Sequence, residues 1–269
     1  METRRLKNIV ILILLLLNIF LMLLLGYQHL QSRRSHKEAM AQLQQLFSSA
    51  QIELAAQSDL SAAPLSPMTL IRNTESESMM ASVFLGNDVP FFSQGGGIHS
   101  YTADNGTIHF RLGGSFDSSE LHLPVDDISG YVQAFFRTFG YVQTSSPLSG
   151  SSGIVTAIQQ ISGIPILDCS IALEFADGVL IAVSGTYVSL ENAADAEQGE
   201  QLSCITALVR FLDHLQDSGM ISSRVEDVFC VYTLESTASD LRLLPTWQIE
   251  TDTYTYLVDC FDGEIQRQN

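Results

Sequence analysis

Residues Leu6–Tyr27, LKNIVILILLLLNIFLMLLLGY, restrict what this chain can become more than any other stretch. At about 1.5 Å rise per residue, a helix over this run is ~33 Å long and crosses a hydrocarbon core of about 30 Å. Its polar interruptions are Lys7 and Asn8 at one end and Asn18 in the middle. A cleaved secretory signal shares the basic start (Arg4, Arg5, Lys7), but its apolar region is usually only about 7–15 residues. Leu25-Gly26-Tyr27-Gln28-His29 also offers no small-x-small cleavage site. The run is therefore expected to stay as a membrane anchor. Arg4, Arg5 and Lys7 precede it and Arg33, Arg34 and Lys37 follow it, so the charge rule for orientation is nearly balanced. The first group abuts the span and gains the α-amino charge, which favours residues 1–5 in the cytoplasm and the body outside.

Charge separates the anchor from the body. Beyond Lys37 there are seven Arg, no Lys and 29 Asp or Glu, a net of −22. A nucleic-acid binder needs a basic footprint, so that class is excluded, as is a body lying flat on anionic lipid. Acidity of this kind keeps a surface soluble. The four cysteines (Cys169, Cys204, Cys230, Cys260) lie in apolar settings with no C-x-x-C and no His at ligand spacing, which excludes a zinc site. Free buried thiols are favoured over disulfides, and three disulfide pairings remain open.

The expected units are 28–120 and 121–269. Met40, Leu43, Phe47, Ala50 and Leu54 share one stripe of a helix over residues 35–57, read as packing on its own domain rather than as a stalk. A short strand is expected at Met68–Arg72. Thr74-Glu75-Ser76-Glu77 has the pattern of a capping box, opening a helix that buries Met79, Met80, Val83 and Phe84 and stops at Gly86. Asp104-Asn105-Gly106 between Ile98–Thr102 and Thr107–Leu112 predicts a hairpin with a type I′ turn. Gln94-Gly95-Gly96-Gly97 lacks the Gly-Lys-Ser/Thr of a phosphate loop and reads as a flexible connector.

In the second unit Asp126 or Asp127 caps a helix carrying Ile128, Val132, Phe135, Phe136 and Phe139, closed by Gly140. Residues 144–153 read as a loop and Ile154–Ile161 as a strand, with Pro165 breaking the run. Ile166–Phe175 and Val179–Val188 form a hairpin across Asp177-Gly178, followed by an acidic loop over residues 191–199. A helix over Gln201–Asp217 turns Leu202, Ile205, Leu208, Val209, Leu212 and Leu215 inward. Strands at Val228–Leu234 and Leu244–Glu250, then Tyr254–Cys260 and a turn at Asp262-Gly263, complete the chain, with Trp247 expected to be buried. The fold class is α+β, antiparallel sheets packed against helices.

No catalytic constellation is present: the histidines are scattered, and neither G-x-S-x-G nor H-E-x-x-H occurs. His99 and His109, on opposite arms of one hairpin, can approach each other, but two ligands make a poor metal site. Asp126 and Asp127 are explained by capping. No metal, cofactor or small-molecule substrate is expected, and a binding or regulatory module is.

Three stretches carry a resemblance. RRLKNIVILILLLLNIFLMLL, QQISGIPILDCSIALEFADGVLIAVSG and LLPTWQIETDTYTYLVDCFDGEI resemble the YycI-like branch of the YycH/YycI proteins, the last with a PepSY-like ending closed by Asp262-Gly263-Glu264. The resemblance covers the anchor and most of residues 126–269; the four cysteines have no counterpart in it. It implies a non-enzymatic, membrane-anchored accessory regulator of a sensor histidine kinase controlling cell-wall metabolism in Gram-positive bacteria, acting with a YycH-like partner. The runner-up is an extracytoplasmic PepSY-like inhibitor or chaperone of a secreted or cell-wall protein. Asn18, near mid-bilayer, either bonds its own helix or hydrogen-bonds a partner helix, the latter worth roughly 0.5–2 kcal/mol.

Overall fold

Two-residue turns set the register of the longest strands. Ser162-Gly163 (φ 51° and 86°) and Asp177-Gly178 (φ 52° and 82°) both place consecutive residues in the left-handed region, the type I′ geometry whose twist suits tight hairpins. They fold residues 153–186 into a three-stranded meander around which one half of the molecule is built. The computed structural model describes residue 22 and residues 38–268, apart from 56–59, 61–62, 87–88, 192, 197–198 and 238–239.

In chain order the elements are α1 (38–49), β1 (Glu53–Leu54), β2 (Met68–Leu70), α2 (Thr74–Leu85), β3 (Phe91–Gly95), β4 (Ile98–Ala103), β5 (Gly106–Phe110), β6 (Ser115–Ser119) and β7 (Leu123–Pro124). Then follow α3 (Ile128–Phe139), β8 (Tyr141–Ser145), β9 (Gly153–Ile161), β10 (Ile164–Ala176), β11 (Val179–Thr186) and β12 (Ala194–Asp195). The chain closes with α4 (Cys204–Ser218), β13 (Arg224–Ser236), β14 (Leu241–Thr251), β15 (Thr255–Asp259) and β16 (Ile265–Gln268).

One antiparallel sheet has the order β8-β9-β10-β11-β6-β5-β4-β3, with β7 pairing the far end of β11. In the other, β14 pairs β13, β15 and β2, while β12 joins β2 and β16 joins β15. β1 runs parallel to β13, and the two sheets join where Ile166 of β10 pairs in parallel with Tyr232 of β13. The fold is thus mixed α+β, dominated by antiparallel strands, with four helices among the described residues. Among those residues no helix is long and apolar enough to cross a membrane. The expected anchor Leu6–Tyr27, with Asn18, lies outside the described residues apart from Met22.

Three apolar cores form among the described residues. α2 and α3 cover the first sheet through Phe84, Phe135, Phe136 and Phe139 against Tyr101, Leu173 and Val183. α1 and α4 cover the second through Leu43, Phe47, Leu208 and Phe211 against Trp247 and Tyr256. Ile166, Tyr232 and Leu243 fill the junction. α1 is therefore a packed helix, but it ends at residue 49 rather than 57: Ala50 lies in the turn that follows and Leu54 in β1, both still against the same core as Met40, and the partner sheet is built from residues 224–268. By packing and pairing, α1, β1 and β2 go with the C-terminal sheet, and residues 74–186 pack around the other.

Several local expectations are corrected. The N-cap of α2 is Asn73, whose side chain accepts from the N–H groups of Glu75 and Ser76; Thr74 is already helical and Glu77 makes no capping box. Met79 is 48% exposed, and Ala81 and Leu85 take the buried positions beside Met80 and Phe84. In the β4–β5 hairpin Ala103 pairs with Gly106, so the loop is Asp104-Asn105 and the positive φ falls on Gly106 alone. A Cβ on Gly106 would lie 2.8 Å from Leu121 Cα, so close backbone approach as well as φ demands glycine there. In place of a connector, Gly95 ends β3 paired with Ile98, and Gly96-Gly97 is the tight turn joining β3 to β4. Pro165 lies inside β10, where the pairing with β9 is irregular between Pro165 and Ser170 and a missing N–H is tolerated. The cap at Asp127 and the stops at Gly86 and Gly140 agree with expectation, as does Trp247, which is 1% exposed.

Candidate functional site

The amphipathic stripe of α3 places Phe135 and Phe139 in the core and leaves a second flank beside the sheet edge. Gly140, left-handed, reverses the chain so that β8 runs back along that flank. Between them lies an open groove of about 440 Å³. Val132, Phe136, Leu148 and Val155 give it apolar walls, and Gln133, Arg137, Gln143 and Ser146 bring polar atoms to its rim.

β8 pairs with β9 and, among the described residues, with no other strand, so its second edge is free, and Tyr141, Val142 and Gln143 line the groove. Gln160 N–H donates to Gly140 C=O at 2.8 Å. Antiparallel alternation then assigns the inward bonds to Gly140 and Val142 and turns the N–H and C=O of Tyr141 and Gln143 away from β9. The Tyr141 hydroxyl donates to the Thr186 carbonyl at 2.7 Å, and burial pushes its pKa well up, so it anchors the strand as a neutral group.

Arg137 stands in the last turn of α3, where the helix dipole favours a cation. Among the described residues it has no hydrogen bond or ion pair. Arg72 is its opposite: Nε lies 2.6 Å from Glu77 Oε1, Nη2 lies 3.1 Å from Oε2, and Nη1 donates to the Gly97 carbonyl. His99 Nδ1 meets the same carboxylate at 3.0 Å. This buried cluster ties α2 to the β3–β4 turn and is a structural brace.

The other sequence candidates are dispersed. Ser100 is the cross-strand partner of His109 and the two bond at 2.8 Å, so His99, next to Ser100, points to the opposite face; the histidines do not meet. Among the described residues no three His, Cys, Asp or Glu side chains are grouped to hold a metal. Asp127 is the N-cap of α3. All four cysteines are free thiols; Cys230 and Cys260 share a hydrogen bond that lowers the pKa of Cys230 and, with burial, raises that of Cys260. Trp247 Nε1 donates to the Leu202 carbonyl at 2.9 Å. Asn18 lies outside the described residues.

Sequence reasoning passed over the groove. Ser129, Gln133 and Arg137 recur every four residues on α3, the spacing of an ordinary solvated face, and the loop expected over residues 144–153 takes in the end of β8. The available signal was the alternating Tyr141-Val142-Gln143 directly after a helix-stopping Gly140.

No family model matches this chain, and no curated protein does. Two solved structures are similar to it in shape. The C-terminal domain of YpeB from Bacillus megaterium has 13% identity and a TM-score of 0.37, over 74% of this chain and 100% of that one. An uncharacterized protein from Eubacterium rectale has 12% identity and a TM-score of 0.43, over 81% of this chain and 90% of that one.

Proposed function

We propose that this chain is a non-enzymatic, membrane-anchored regulator that binds a sensor histidine kinase, together with a YycH-like partner, and biases the kinase's signalling state. In this reading Leu6–Tyr27 is the anchor, residues 1–5 are cytoplasmic and the PepSY-like body is extracytoplasmic. The observation that carries the binding role is the open α3–β8 groove, whose strand edge and Arg137 have no partner among the described residues. Its polar lining consists of amides, hydroxyls and one guanidinium, with no His, Asp, Glu or Cys beside them to act as a base, which favours recognition over catalysis. The kinase as partner rests on the sequence resemblance.

Affinity capture from crosslinked membranes tests it. Recovery of a sensor kinase with a YycH-like protein is the expected result, and Asn18→Leu is expected to lower that recovery while leaving the chain in the membrane. Recovery of a secreted or cell-wall protein alone would replace this reading with that of an extracytoplasmic inhibitor or chaperone. Protease added to intact protoplasts should remove the body; a body protected until lysis contradicts the orientation.

A further inference from the structure

We propose that the α3–β8 groove takes an extended segment of its partner by strand addition, seating the segment's backbone on the free edge of β8 and one Asp or Glu side chain on Arg137. This deepens the binding role proposed above and rests on it. The dimensions agree: β8 spans five residues, Tyr141–Ser145, and the groove-facing residues of α3 run from Ile128 to Arg137. At about 3.4 Å per strand residue and ~1.5 Å per helical residue, both lengths come to roughly 14 Å, room for about four or five residues of extended chain.

Each part of such a segment meets a suitable surface. The outward N–H and C=O groups of Tyr141 and Gln143 continue the ladder, supplying affinity without reading sequence. Val132, Phe136 and Val155 are buried and form the groove's floor, so alternate side chains of the added strand would meet the half-buried Ile128 and Leu148, which favours apolar residues at every second position. Arg137 marks one end and supplies the charge preference.

The carboxylate is that of a side chain rather than a chain terminus. Terminal carboxylates are commonly captured by clustered backbone N–H groups. The clustered N–H groups beside this groove are those at the start of α3, at the end remote from Arg137, where the Asp127 carboxylate accepts from Gly130 N–H at 3.0 Å and its charge opposes a second anion. The net charge of −22 beyond Lys37 opposes heavily acidic partners and a second copy alike, so an apolar segment with a single carboxylate is what the surface favours.

The test uses the full chain in detergent micelles and five-residue, N-terminally fluorescein-labelled, C-terminally amidated probes of the pattern Val-Thr-Val-Thr-Glu, read by anisotropy. The Glu probe should bind about 2–5-fold more tightly than its Gln analogue, in line with the modest strength of an exposed ion pair. N-methylation of alternate amides should weaken it at least about tenfold, because the edge bonds are lost. Arg137→Glu should reverse the order, so that a Lys probe binds better than the Glu probe, and circular dichroism should show that variant folded. Several results would overturn the inference: equal affinity for the Glu and Gln probes, indifference to N-methylation, or no saturation at millimolar probe. Preference for a Gln probe with a free C-terminus would assign the site to chain ends instead. A dimer by sedimentation that Val142→Lys dissolves would assign the groove to a second copy. Capture of a kinase with crosslinks mapping elsewhere would sink this inference while leaving the proposed function in place.

Discussion

Two arginines near opposite ends of one antiparallel sheet sit in opposite surroundings. Arg72, by the β3–β5 end, is held on both oxygens of Glu77 and also reaches the carbonyls of Gly97 and Phe110. Arg137, by the β8 end, has no partner among the described residues. The strand edges differ in the same way. Among the described residues β3 is unpaired on one side and exposes Phe92 to 71%, all five of its residues being exposed. Its Phe91 folds back onto His99, ring centroids 4.6 Å apart, and so belongs to the brace. β8 lies beside α3, and the edge and the groove together offer a partner backbone bonds, apolar contact and charge. A cation already satisfied by the fold stabilises the fold; an unsatisfied one beside an open edge is available to something else.

The largest effect that tests this contrast is on stability. Glu77 is 6% exposed, and Glu77→Ala leaves the half-buried Arg72 without its counter-charge though still bonded to the Gly97 and Phe110 carbonyls, a loss of about 2–3 kcal/mol, below the range for a fully buried pair. Arg137→Ala should change stability by less than about 0.5 kcal/mol. Urea unfolding of both variants decides the matter, and equal costs would erase the distinction.

The caps sharpen it next. Asn73→Ala should cost about 1–2 kcal/mol, because Asn73 caps α2 and also donates to Ser189 and Glu191. Asp127→Ala removes only the cap of α3 and should fall near 0.5–1 kcal/mol, roughly the lower half of the usual range. Reversed magnitudes in thermal unfolding would move the structural centre of the sheet to the groove end.

Alkaline pH acts on the braced end as well. Burial, reinforced by Glu77, pushes the Tyr101 hydroxyl from 10.0 up to about 12. Its contribution to stability is therefore complete below pH 10 and is lost as pH rises through about 12. The decline of the unfolding midpoint over that interval should be shallower in Tyr101→Phe, whereas an unchanged slope would exclude Tyr101 as a source. The smallest effects belong to the exposed edge residues: Phe92→Ser and Val142→Ser should each stay within about 0.5 kcal/mol of wild type in chemical denaturation.

What was legible in the sequence was local. Asp127 before an amphipathic run, Gly140 after it, and Asp177-Gly178 between apolar stretches are features whose geometry is decided within a few residues. Where two neighbours compete for one role the reading failed: Asn73 and Thr74 are both good caps, and the choice of Asn73 freed Glu77 for Arg72 and His99, the latter 22 residues away. The Asn-Gly turn was misjudged by one position because Gly106 answers to Leu121, a contact outside the hairpin. The groove was not legible for the same reason. Its members are drawn from α3, β8, the loop after it and β9, and no single one of them departs from an ordinary surface or core residue.

The most direct test of the account places a photo-crosslinking phenylalanine analogue at Gln143 or at Phe92 of the full chain in living cells. The account predicts that the Gln143 probe crosslinks to an extended, carboxylate-bearing segment in the extracytoplasmic region of a membrane sensor kinase, that Arg137→Glu abolishes the product, and that the Phe92 probe gives none. A product from Phe92 with none from Gln143, or a Gln143 product indifferent to Arg137→Glu, would contradict it.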